Sequence, residues 1–209
     1  MHCPPRLLRR RLGRALVLAS LVTSPHVLTG CSNFLAATHD GPIYQDPGQR
    51  SRGEKTDDKQ IKTFLKVNLG KADPALAKSN INIASYNGVV LLTGEVANNQ
   101  LRELAGATAR DINAVRQVHN QLAIAGQSSF YSRANDSWLA TKINTKIINA
   151  QVIEINRIKV IVENRVVYLM GLVTEKEAAA VVEVARTTKG VTKVVRAVEL
   201  IPEHPRAPI

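Results

Sequence analysis

Reactive side chains are few in this chain of 209 residues, which holds two cysteines and five histidines. His2, His26 and Cys3 lie within the first 30 residues, His39 in a polar stretch and His204 in a proline-rich tail. His119 is left as the histidine of a patterned region, on an expected strand with no nucleophile or paired carboxylate beside it, and reads as a strand-surface residue rather than a general base. No spacing of histidine and cysteine suits a metal, and neither a P-loop nor a Gly-x-Ser-x-Gly elbow occurs. The sequence thus predicts no enzyme and no cofactor. Two other kinds of chemistry remain: thiol acylation at Cys31, and contact with phosphate along a row formed by Trp138, Lys142 and Lys146.

The row consists of the only tryptophan and two lysines spaced four residues apart, each one position ahead of the apolar series Leu139, Ile143 and Ile147. Successive residues of a helix are about 100° apart, so the tryptophan and both cations share a stripe beside the core-facing one. Such a stripe suits a lipid interface. The indole settles at headgroup depth, the lysine stems lie along apolar surface, and their ammonium groups meet anionic phosphates. Periodicity alone equally allows Trp138 to pack at a domain edge with the lysines merely solvated.

Cys31 follows Leu28-Thr29-Gly30, behind Arg6, Arg9, Arg10, Arg11 and Arg14 and an apolar run from Ala15 to about Val22. The run is too short to span a bilayer and reads as the core of an export signal. Leu28 to Cys31 resembles the bacterial lipobox, which implies cleavage before Cys31 and its acylation, palmitate included. Several acyl chains at ~0.8 kcal/mol per buried CH₂ make such anchoring permanent. Loss of Cys3 with the signal would leave Cys31 without a disulfide partner, in keeping with this role. Ser32 in the next position, by resemblance to the enterobacterial sorting pattern, favours the outer membrane.

The formal charge of +11 is less suggestive than it looks, because five of the 28 basic residues leave with that signal; 23 against 17 acidic residues leaves +6 for residues 31–209. With one Trp, four Tyr and three Phe, stacking platforms are scarce, and nucleic acid is not an expected partner. Residues 31–55 have few apolar positions and several Gly and Pro, and are expected to form a lipidated flexible tether spanning roughly 25 to 30 Å.

What must position the row is an internal repeat. Ile81–Val96 and Ile158–Val173 share seven identities in sixteen aligned positions, among them Asn87/Asn164, Gly94/Gly171 and Val96/Val173. Each copy opens with a helix, marked by Ile61, Leu65 and Leu69 behind Asp57/Asp58, or by Leu139, Ile143 and Ile147 behind Asn135/Asp136, the acids being expected caps. Two strands follow. Asn87-Gly88 is a strong type I′ hairpin signal, whereas Arg165 in the second copy leaves the turn type open. A second helix comes next, begun in the second copy by the capping box Thr174-Glu175-Lys176-Glu177, and then a third strand, from about Val115 to Ile124 and from about Val191 to Ile201. The fold class is α+β, two tandem αββαβ domains, each a three-stranded sheet with two helices on one face.

Gly94 with Ala114-Val115-Arg116-Gln117-Val118, and Gly171 with Gly190-Val191-Thr192-Lys193-Val194, resemble the BON domain, a bacterial envelope module of this element order. Together with the lipobox, the chain is similar to the dual-BON outer-membrane lipoproteins, the division- and stress-associated lipid-binding family among them. The organisation expected is a signal peptide at 1–30, the tether at 31–55, BON domains at 56–126 and 127–201, and a tail at 202–209. The resemblance implies that the first helix of the second domain contacts anionic phospholipid, with Trp138 as anchor and Lys142, Lys146 and Leu139 alongside, on the periplasmic face of the outer membrane. Gln60 and Phe64 stand in the places of Trp138 and Lys142 in the first copy, which predicts weaker lipid contact there. The alternative function is a lipid-anchored scaffold for envelope or outer-membrane proteins without direct headgroup binding.

Overall fold

The computed structural model describes residues 46–126 and 130–203. The expected signal, Cys31 and most of the tether lie outside the described residues. In the first copy, helix α1 (Arg52–Ala72) is followed by a short α2 (Pro74–Lys78), strands β1 (Asn80–Tyr86) and β2 (Val89–Val96), helix α3 (Asn99–Arg110), and strands β3 (Gln117–Asn120) and β4 (Ala123–Ile124). The second copy comprises α4 (Phe130–Ala150), a 3₁₀ turn at Ile155–Arg157, β5 (Ile158–Glu163), β6 (Val166–Val173), α5 (Glu175–Arg186) and β7 (Lys193–Leu200). This is the expected order in both copies, with α2 as an addition. Asp73 caps α2 through the Ala75 N–H, and Pro74 occupies its first turn.

In each sheet the middle strand pairs antiparallel with its hairpin partner and parallel with the last strand, reached through the crossover helix. The first sheet's last strand breaks at Gln121-Leu122, where Leu122 turns into the core, and resumes as β4 beside Glu95 and Val96. Gly94 and Gly171 sit where a Cβ would overlap the carbonyl oxygens of Asn80 and Arg157 on the neighbouring chain segment, which is why the second strands carry glycine there.

One correction concerns the helix starts. Helix α1 begins at Arg52, capped by Ser51 in a box with Glu54, and Asp58 lies inside the helix and buried. Its carboxylate accepts from the Asn87 and Gly88 backbone N–H groups at 2.9 and 3.0 Å, and from the Ser85 hydroxyl at 2.6 Å. Burial works to raise the Asp58 pKa, but the hydrogen bonds from Ser85, Gly88, Asn87 and Arg50 prevail and hold it below the ordinary carboxylate value. Asp136, inside α4, does the same for the Asn164 and Arg165 amides at 2.7 and 2.9 Å. Neither acid is a cap; each ties its first helix to its hairpin turn. Positive φ at both central residues of both turns, Arg165 at 64° included, matches the type I′ pattern.

The expected tether also ends earlier than residue 55. Arg50 pairs with Asp58 and lies 3.6 Å over the Tyr86 ring, while Gly48 packs on the Arg157 guanidinium and Gln49 donates to Glu154. Residues 46–50 therefore touch both copies.

The helices cover one face of each sheet, burying Ile61, Leu65 and Leu69 in the first copy and Leu139, Ile143 and Ile147 in the second. The other faces pack on one another, with Ala84, Tyr86, Val89 and Leu91 against Ile161, Tyr168, Met170 and Ala197. Polar groups at the rim of this seam find partners across it: the Tyr86 hydroxyl donates to the Arg157 carbonyl at 3.0 Å, Asn164 to Glu95 at 2.9 Å, and Asn87 to Glu199 at 3.0 Å.

Glu163 lies at the same seam. Burial first, then the carboxylates of Glu95 and Asp136, push its carboxyl up to about 6, against the Thr93 hydroxyl and the Arg133 charge. The folded state thus takes up this proton before the unfolded chain does, and stability present at pH below about 4.5 is lost as pH rises through about 6. Because solvent reaches part of the group, the loss is on the order of 1 kcal/mol. Glu163→Gln, which stands in for the protonated form, is expected to raise the melting temperature by about 2–4 °C at pH 7.5 and to leave it unchanged at pH 4, as read by calorimetry.

Candidate functional site

Helix α4 is held in place from two sides. Leu139, Ile143 and Ile147 are at most 1% exposed in the core of the second copy, and Asp136 fixes the first half of the helix to the β5–β6 turn. With those positions buried, the stripe rotated by one residue must face outward. Trp138 is 59% exposed and so lies outside the core of the second copy. The Lys142 ammonium stands 4.8 Å from the centre of its ring, a cation–π geometry that joins aromatic and charge into one feature. Lys142 and Lys146 are both half-buried.

Leu139 is a correction. At 1% exposure it belongs to the core and cannot meet a headgroup; it supports the helix that carries its neighbours. Tyr131, absent from the expected row, is 84% exposed and lies seven residues before Trp138, two turns away on the same side. Its spacing was the available signal. Tyrosine is, like the indole, an amphipathic ring with an apolar body and a polar tip.

In the first copy, Phe64 and Val67 are about half exposed on α1, where the second copy carries Lys142 and Thr145. The two first helices therefore present different surfaces from one framework. His119 is partly buried on β3, and that burial lowers its pKa. Among the described residues no group of three or more His, Cys, Asp or Glu is placed to hold a metal ion, and no helix is long and apolar enough to cross a membrane.

Residues 57–126 and 135–202 each match the protein family described as BON domain. The chain is 33% identical to the outer membrane lipoprotein DolP of Haemophilus influenzae over 184 residues, covering 86% of this chain and 93% of that protein. It is 31% identical to a 21 kDa hemolysin of Actinobacillus pleuropneumoniae over 163 residues, covering 78% and 82% of the two chains. These similarities run through both copies of the repeat.

Proposed function

This chain belongs to the BON-domain family and is an outer-membrane lipoprotein, and from that premise we propose that its second domain binds anionic phospholipid through the exposed row of α4. The observation that carries the reading is the position of Trp138. A lone tryptophan stands well exposed on a helix whose neighbouring stripe is fully buried, with an ammonium group over its ring. Exposing so large an apolar surface to water is unfavourable, and a membrane interface relieves it while giving Lys142 and Lys146 their counter-charges. Cys31 supplies the acyl anchor, so the folded domains work at a surface to which they are already attached, in support of envelope integrity. Neither the family nor these relatives belong to an enzyme class, and the role proposed is binding.

A scaffold role has its own support in Phe64 and Val67 of the first domain, two apolar side chains about half exposed on a helix face without a tryptophan. Vesicle sedimentation separates the two readings. Residues 32–209, which keep every described residue and lack the acylated cysteine, are expected to pellet with phosphatidylglycerol-containing vesicles and to stay in solution with phosphatidylcholine alone. Retention in solution with both would leave the scaffold role.

The anchor has a separate test. Cys31→Ser is expected to abolish acylation and leave the protein soluble or as an unprocessed precursor. Mass spectrometry of the mature N-terminus checks it, since an unmodified Cys31 or a first residue elsewhere is incompatible with the anchor.

A further inference from the structure

In the first domain the row of the first helix does not face open water alone. Gln60, Phe64 and Asn68 form one wall of a cleft of about 370 Å³, and Asp111, Asn113 and Ala114, just after α3, form the other. Asp57 also lines it, so the first-domain cleft carries two carboxylates. The repeat puts Trp138, Lys142 and Lys146 at the positions of Gln60, Phe64 and Asn68, and Thr187, Lys189 and Gly190 at those of Asp111, Asn113 and Ala114. Asn135 replaces Asp57. Both acids of the first-domain cleft are thus replaced by neutral residues at the matching positions of the second domain, and three cations enter at positions that were uncharged.

The two walls are fixed to each other in the second domain. Gly190 sits against α4, where a Cβ would be in ordinary contact with Leu139 Cδ1 at 3.5 Å. Arg165, whose backbone N–H is held by Asp136 of α4, donates its Nε to the Gly190 carbonyl at 2.8 Å, and the Thr192 N–H returns to the Arg165 carbonyl at 3.0 Å. Helix, hairpin turn and loop are therefore tied together by hydrogen bonds, and the exposed Lys189 directly precedes the tied Gly190.

We infer that α4 and the loop 187–190 together form a headgroup cleft, in which Lys142, Lys146 and Lys189 surround the phosphate of an anionic membrane lipid while Trp138 enters the boundary between headgroups and acyl chains. This inference rests on the lipid reading of α4 and adds the second wall. A phosphate held from two elements gains charge-assisted hydrogen bonds from several directions, which a single helical stripe lying on a charged plane does not provide.

The test compares single neutralisations in residues 32–209, by titration with vesicles of phosphatidylglycerol in phosphatidylcholine at low salt. Lys189→Gln is expected to weaken binding about five-fold, as Lys142→Gln does, from roughly 1 kcal/mol per cation near an anionic surface. Lys176, exposed in the first turn of α5 at the far end of that helix, is the charge control, and Lys176→Gln is expected to leave binding within two-fold, on the order of experimental scatter. Equal effects of Lys189→Gln and Lys176→Gln, alongside loss of binding in a folded Trp138→Glu variant, would overturn the cleft and leave the helix as the contact. Undiminished binding by that folded variant would overturn both.

Discussion

Trp138→Glu is expected to keep the melting temperature of the protein and to lose binding to anionic vesicles at every salt concentration. The fold survives because the side chain is 59% exposed and is not part of the second domain's core, and exposed substitutions of this kind stay within about 0.5 kcal/mol. Binding falls for two reasons. An indole that moves on the order of 120 Å² of apolar surface out of water is worth roughly 3 kcal/mol at about 25 cal/mol per Å². Glutamate removes this and adds repulsion from the headgroups, so a loss beyond 100-fold is expected, from about 1.4 kcal/mol per ten-fold. Salt separates the anchor from the lysines. The double variant Lys142→Ala, Lys146→Ala should lose roughly 2 kcal/mol at low salt and less at high salt, since screening acts on charge and hardly on apolar burial. Intact binding by a Trp138→Glu protein with unchanged melting temperature would place lipid contact elsewhere.

The largest effects on stability belong to two aspartates. Asp58→Ala is expected to cost roughly 4 kcal/mol, since it deprives two turn amides and a hydroxyl of a buried charged acceptor and leaves Arg50 without its ion-pair partner. Asp136→Ala, which serves two amides, is expected to cost roughly 3 kcal/mol. Asp57→Ala, the neighbouring exposed acid, should change stability by no more than about 0.5 kcal/mol. Denaturant unfolding of the three variants measures the order directly, and a costly Asp57→Ala with a mild Asp58→Ala would show that capping rather than turn anchoring is what these acids do. The sign with pH also follows. Because the folded state holds the Asp58 carboxyl below its ordinary value, its contribution is present at neutral pH and is lost as pH falls through the folded pKa, so the gap between wild type and Asp58→Ala should narrow in acid.

These aspartates mark where reading along the chain stops. Asp57/Asp58 and Asn135/Asp136 precede apolar residues at helical spacing, and a carboxylate in that place is a good cap by every local rule. What overrides the rule lies about 28 residues away: the amides of a type I′ turn have no partner within their own hairpin, and a buried acid on the packed helix is the nearest acceptor. No window of a few residues contains both groups. The same holds for Arg165, whose positive φ is unfavourable taken alone and is sustained by Asp136 at its N–H and Gly190 at its guanidinium.

Much else was already present in the order of residues. Seven identities between the two hairpins, Asn-Gly at the first turn, the Thr174 capping box and the four-residue spacing of Leu139, Ile143 and Ile147 required no tertiary information to yield two αββαβ units, because each rests on contacts within one turn of helix or one pair of strands. Periodicity also set Trp138 and the two lysines on one stripe. It could not say whether that stripe met water or protein, and it let Leu139 stand as a lipid contact beside the tryptophan. Those choices depend on what covers each face. The sheets of the two domains bury their second faces on one another through Tyr86, Leu91, Tyr168 and Met170, leaving α4 outside that seam and its Trp138 row uncovered, while Leu139 points the other way into its own core. Chain order settles which residues share a stripe, and only the packing of elements and domains on one another decides which stripes stay uncovered.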